Sequence, residues 1–184
     1  MPTNGGEAGM LVIAILFGMT LPISPVQILW VNMITAVTLS LSLAFEKAEP
    51  GIMQHRPRDP GESILSNHMI WRIILVSTLL TIGGLGLFLW GQAQGMSLET
   101  CRTIAVNALV MGEMSYLFNC RYLLAPALSY QGLFGNRYVL LAIGILMIFQ
   151  LLFTYHPLMQ QWFGTADIDL IAWLKIIVMG VALF

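Results

Sequence analysis

Six apolar runs dominate the pattern of the chain: Glu7–Leu21, Val26–Phe45, Met69–Trp90, Thr103–Tyr122, Tyr138–Tyr155 and Leu170–Phe184. Each approaches the ~20 residues with which a helix crosses ~30 Å of hydrocarbon. Backbone amides have no water to pair with in lipid, so each run is predicted to close its own hydrogen bonds as a helix. The predicted fold is an all-α membrane protein, a bundle of about six transmembrane helices. Between the first two runs, Pro22-Ile23-Ser24-Pro25 leaves room for a tight hairpin alone. The longest polar stretch, Glu46 to Asn67, holds Pro50, Pro57 and Pro60 with Gly51 and Gly61, and reads as a loop.

Composition agrees with the pattern. Of 184 residues, 58% are hydrophobic and 9% charged, and the mean hydropathy is +0.82. A soluble domain carries about 25% charged residues. The net charge of −1 gives no reason to expect a nucleic-acid partner. No basic segment precedes a short apolar core at the N-terminus, so it does not read as a signal peptide. The first span begins almost at once and the last stops at Phe184 without a polar flank, as expected of a segment of a larger protein. With the Glu46–Asn67 loop on the cytoplasmic side, Lys47, Arg56, Arg58, Arg72, Arg121 and Arg137 lie at that side and Arg102 opposite. That asymmetry sets the predicted orientation, with the first helix running outward. Cys101 and Cys120 lie nineteen residues apart in one predicted helix. The rise between them, about 28 Å, rules out a disulfide, which needs Cα atoms within about 7 Å.

The candidate chemistry lies in the polar residues inside the spans. Glu113 sits about ten residues from either end of its run, too deep for a short side chain to reach the interface. A charge there costs about 2.5–3.5 kcal/mol on insertion scales, so such a residue is protonated, paired or bound to a cation. Asn4 and Glu7 share a helical face at i, i+3. Gly5 and Gly6 between them loosen the helix, at about 1 kcal/mol each relative to alanine, and unwound backbone offers carbonyl ligands. Asn32 and Thr35 repeat the i, i+3 spacing in the second run, as ligands or as interhelical glue worth about 0.6 kcal/mol per bond. Lys175 either snorkels to an interface or pairs with a carboxylate. Ser77, Asn107 and Gln150 read as packing or interhelical glue rather than ligands, and Gly83-Gly84-x-Gly86 as a site of close helix approach. The five tryptophans fall mostly near span ends, as an aromatic belt does. No Walker lysine loop, Asp-Lys-Thr-Gly-Thr or Thr-Gly-Glu-Ser is present, so ATP hydrolysis cannot reside on this chain alone.

The run Pro25-Val26-Gln27-Ile28-Leu29-Trp30-Val31-Asn32-Met33-Ile34-Thr35 closely resembles the sixth transmembrane helix of P-type cation-transporting ATPases of the calcium-pump-like class. Asn4-Gly5-Gly6-Glu7 resembles the Asn-x-x-Glu of their fifth helix, and Gly51-Ile52-Met53 with Arg56-Pro57-Arg58 the loop after the sixth. Glu113-Met114 resembles the eighth helix and Trp173-Leu174-Lys175-Ile176 the start of the tenth. The resemblance covers residues 1–184 as a C-terminal six-helix membrane domain, with 46–67 as a cytoplasmic loop.

The resemblance implies a cation site in mid-membrane between the fourth, fifth, sixth and eighth helices. Asn4, Glu7, Asn32, Thr35 and Glu113 would be its ligands, and Glu7, Asn32 and Glu113 the metal-binding set. It implies no catalytic residue or cofactor on this chain; the cation is cargo, and ATP and magnesium belong to cytoplasmic domains elsewhere. The expected partners are the bilayer and those remaining N-terminal and cytoplasmic domains, and the expected location is a bacterial inner membrane. Ala36 departs from the family, because calcium pumps place there an Asp that bridges two calcium ions. Glu7 and Glu113 supply at most two negative charges, which suits one divalent ion, monovalent ions or protons better than two calcium ions. The alternative is a self-contained channel, a secondary transporter or a non-transporting accessory protein. Secondary transporters often show internal repeats, and none is evident between Met1–Asn67 and Asn107–Phe184.

Overall fold

A computed structural model describes residues 2–45, 66–121 and 136–183. The described residues are helical and contain no strand. We label the helices α1 (Pro2–Leu16), α2 (Pro25–Leu43), α3 (Asn67–Ala93), α4 (Leu98–Arg121), α5 (Arg137–Tyr155), α6 (Pro157–Phe163) and α7 (Leu170–Ala182). By length and composition α2, α3 and α5 can each cross a membrane, and α7 is a shorter apolar helix. The chain is thus an integral membrane chain with three spans evident among its described residues. Each of the six predicted runs contains a helix among the described residues, and α6 was not anticipated. The Glu46–Asn67 loop, with Lys47, Arg56 and Arg58, falls almost wholly outside the described residues.

The first helix ends earlier than its apolar run. Gly18 has φ +61°, a left-handed conformation that glycine adopts without a Cβ penalty. Its N–H donates to Ile15 O at 3.1 Å and that of Met19 to Ala14 O at 2.8 Å. This pair of bonds closes the last turn and redirects the chain. The connection is consequently longer than a Pro22–Pro25 hairpin. Ser24 caps α2 by accepting from Gln27 N at 3.3 Å, while the Gln27 side chain accepts from Ser24 N at 3.0 Å. Pro25 follows at the first helical position, where its missing N–H costs nothing.

The packing centres on α4. Ile104, Ala105, Val106, Ala108, Leu109 and Val110 are each at most 1% exposed, so this helix is enclosed on every side rather than along one stripe. It packs against α3 and α7, and α3 packs in turn against α1. Close approach of α1 and α3 rests on glycine. A Cβ on Gly6 would stand 2.7 Å from Leu80 Cβ, and one on Gly5 or Gly9 would strike the hydroxyl of Ser77 or Thr81. Those hydroxyls donate to backbone carbonyls of α1, Ser77 to Pro2 O at 2.8 Å and Thr81 to Gly6 O at 3.2 Å. Ser77 is interhelical glue, as its sequence context suggests.

Other side chains settle as follows. Asn107 donates to Thr154 Oγ1 at 3.0 Å, joining α4 to α5. Gln150 is buried with neither end of its amide partnered. Trp30 departs from the aromatic-belt expectation: it is buried and stacks on Phe153, with ring centroids 5.5 Å apart. Of the Gly83–Gly86 run, Gly84 fits against Met10 and Gly83 against Met179, whereas Gly86 faces open space. Cys101 is buried as a free thiol, and Cys120 lies far along the same helix.

Candidate functional site

Helices α1, α2 and α4 bring four of the five expected ligands to one region. Glu7 faces inward from α1 at 5% exposure because the glycines beside it press that side of the helix onto its neighbours. Asn32 of α2 donates its Nδ2 to Glu7 Oε2 at 3.0 Å and to Ile28 O at 3.1 Å. Glu113 on α4 is 7% exposed, and the side chains of Thr35 and Thr3 reach its carboxyl group. Glu7 meets the same stretch of α2 as Glu113, through Asn32 one turn before Thr35.

Glu7 Oε1 and Glu113 Oε2 are buried and have no hydrogen-bond partner. Buried carboxylate oxygens are normally satisfied, and leaving one bare carries a desolvation cost of about 1–3 kcal/mol or more. Two such oxygens from different helices, beside an amide and a hydroxyl, form an all-oxygen donor set that suits a hard cation. No group of three His, Cys, Asp or Glu side chains gathers among the described residues. The set therefore differs from a thiolate or imidazole centre.

Helix α2 changes its hydrogen bonding at this site. Residues Pro25–Thr35 are α-helical, Ala36–Ser40 form a π-helical turn, and Leu41–Leu43 return to α. A π turn widens the helix and alters which carbonyls are engaged, and such turns occur often at functional sites. Thr35 and Thr38 donate back to Val31 O at 2.9 Å and Ile34 O at 2.7 Å, bonds that compete with the regular helical ladder. A cavity of about 200 Å³ leads to Glu113 from the ends of α1, α2 and α4 that adjoin Pro2, Leu43 and Leu117. Thr3, Ser40 and Tyr116 also line it. None of those three was singled out in the sequence, although Thr3 lies one helical turn before Glu7.

Asn4 and Ala36 are placed differently. Both are exposed. Three residues of α-helix turn about 300°, so Asn4 is rotated some 60° from Glu7 and falls outside the face that packs inward. Lys175 has no ion pair among the described residues; its Nζ lies 4.3 Å from the centroid of the Trp90 ring.

Comparison with known proteins fits this arrangement. The family model described as "Cation transporting ATPase, C-terminus" matches residues 20–184. Relatives include the "Probable cation-transporting ATPase F" of Mycobacterium tuberculosis, 43% identical over 183 residues and matched along 100% of this chain. A cation-transporting ATPase of Synechocystis is 36% identical over 94% of the chain, and a calcium-transporting ATPase of Bacillus subtilis 27% identical over 98%. The chain spans about 20% of the length of each of these relatives. The chain belongs to the P-type cation-transporting ATPases, as a C-terminal region of that family.

Proposed function

We propose that the chain is the ion-binding membrane part of an ATP-driven P-type cation pump, with the six helical runs as its spans. One observation carries this reading: carboxyl groups of α1 and α4 converge in the bundle, and each keeps a buried oxygen without a partner. A cation between Glu7 and Glu113, with Asn32 and Thr35 beside them, supplies the missing partner to both. Asn4 completes the set, facing a helix from outside this chain that also covers Ala36. Two carboxylates balance one divalent ion, whereas a second would leave about two positive charges uncompensated in a low-dielectric site. The pump moves the ion by alternating access. Phosphorylation on cytoplasmic domains outside this chain rocks the helices, and the emptied carboxylates accept protons in return. The loop at 46–67 transmits the motion, and the pump resides in a bacterial inner membrane.

The test is a cation panel on the purified chain in detergent, with Ca²⁺, Mn²⁺, Mg²⁺, Na⁺ and K⁺ added singly and melting followed. At a hundredfold excess over its dissociation constant the bound ion adds about 2.7 kcal/mol of stability. The upward shift is expected to vanish in a Glu7→Gln, Glu113→Gln double variant. A wild-type melting curve indifferent to every cation would overturn the reading.

Ala36→Asp tests the departure from the calcium-pump pattern. A third carboxylate at the start of the π turn is expected to tighten divalent binding in the full-length pump by about tenfold, or 1.4 kcal/mol. Unchanged divalent affinity would place Ala36 outside the site.

A further inference from the structure

A groove of about 540 Å³ separates α3 from α7. Ile82, Gly86 and Trp90 line one wall, and Ile171, Lys175 and Val178 the other. The spacing on each helix is i, i+4, i+7 or i+8, so each wall is one continuous face. Ile82, Ile171 and Val178 are 63%, 58% and 67% exposed. Glycine at 86 does not serve helix packing, because a Cβ there would meet no atom within 4 Å. It hollows the floor of the groove.

The α7 wall of the groove carries a charge. Lys175 stands six residues beyond Asp169, the N-cap of α7, about 9 Å below the helix start. Its ammonium group rests over the Trp90 indole. The two acids nearest in sequence are engaged elsewhere: Asp169 accepts from Ala172 N at 2.9 Å, and Asp167 accepts from Gln160 Nε2 at 2.7 Å. Among the described residues no carboxylate neutralises the lysine. A long apolar trough therefore holds an unneutralised cation beside an indole, about one helical turn from its Ile171 end.

We propose that this groove binds a phospholipid with an anionic headgroup. One acyl chain lies along the trough over Gly86, and a phosphate oxygen accepts from Lys175 Nζ. A transmembrane helix of another protein fits less well, because its apolar side chains would enclose Lys175 without supplying a counter-charge. Free phosphate would meet the lysine and gain nothing from the trough.

The full chain, stripped of lipid in detergent, is titrated with phosphatidylglycerol, with phosphatidylcholine of the same acyl chains, and with inorganic phosphate, and bound species are counted by native mass spectrometry. One phosphatidylglycerol is expected to bind per chain, about fivefold more tightly than phosphatidylcholine. Lys175→Gln should erase that preference while both lipids still bind. Gly86→Leu should weaken both lipids without lowering the melting temperature, since the new side chain enters open space. Equal binding of the two lipids to the wild type overturns the proposal, as does Gly86→Leu binding both lipids unchanged. Inorganic phosphate competing at the same concentration as the lipid would reassign the site to a free anion. Self-association abolished by Gly86→Leu and insensitive to lipid would reassign it to a second copy of the chain.

Discussion

Glu113→Gln is expected to abolish cation-stimulated ATP hydrolysis by the full-length pump and to weaken cation affinity by about 10²–10³-fold. The substitution keeps the shape of the side chain and removes its charge, so packing around α4 is preserved. Removing one member of a buried charge pair costs about 3–5 kcal/mol, because the remaining charge loses its compensation; the lower part of that range, about 3–4 kcal/mol, corresponds to the stated loss of affinity. Glu113 Oε2 has no partner in the fold, so a cation bound there would be the one partner of that oxygen. Glu113→Asp retains the charge but withdraws it by one methylene, and should fall between wild type and Glu113→Gln. Unchanged activation with unchanged apparent cation affinity in Glu113→Gln would remove this residue from the site.

The second large effect is structural. Gly6→Leu is expected to destabilise the chain by about 3 kcal/mol, the upper end for overpacking a close contact. Its Cβ would meet Leu80 Cβ at 2.7 Å, an atom that cannot move without its backbone. Helices α1 and α3 would have to separate, breaking the bond from Thr81 to Gly6 O and displacing Glu7 from Asn32. For a chain of this size the melting temperature should fall by about 6–12 °C. Gly86→Leu serves as the comparison, since it adds the same side chain to a glycine without neighbours. Equal melting of the two variants would refute the α1–α3 contact.

The helices were legible because hydropathy alone marks segments that must satisfy their backbone in lipid; the start of α7 at Leu170 and the end of α5 at Tyr155 fall where the apolar runs place them. Their ends were less legible where apolarity continues past the helix. Leu16 ends α1 although the apolar run goes on to Leu21, because the stop signal is the conformation of Gly18 and not a change of polarity. In the candidate site, Glu113 stood out because an acid deep in a span needs a reason to be there. The convergence of Glu7 with Asn32 depends on how α1 packs, which the i, i+3 spacing of Asn4 and Glu7 does not carry. That spacing joined the pair, and packing separated them. The π turn was missed for a related reason: a regular helix of the same residues has the same hydropathy.

The enclosure of α4 has a consequence for how the chain enters its membrane. A helix surrounded by protein has no need of a lipid-compatible surface, and α4 carries Asn107 and Glu113 where its neighbour α3 carries leucine and isoleucine. Such a segment is a poor client for a translocon that judges each helix by its own partition into lipid. It follows α3 after the short connection closed by Gly95, at φ +71°. The two thus form a helical hairpin, an apolar arm packed against a more polar one. The residue that would hold the ion is the same one that makes its helix depend on a companion for assembly.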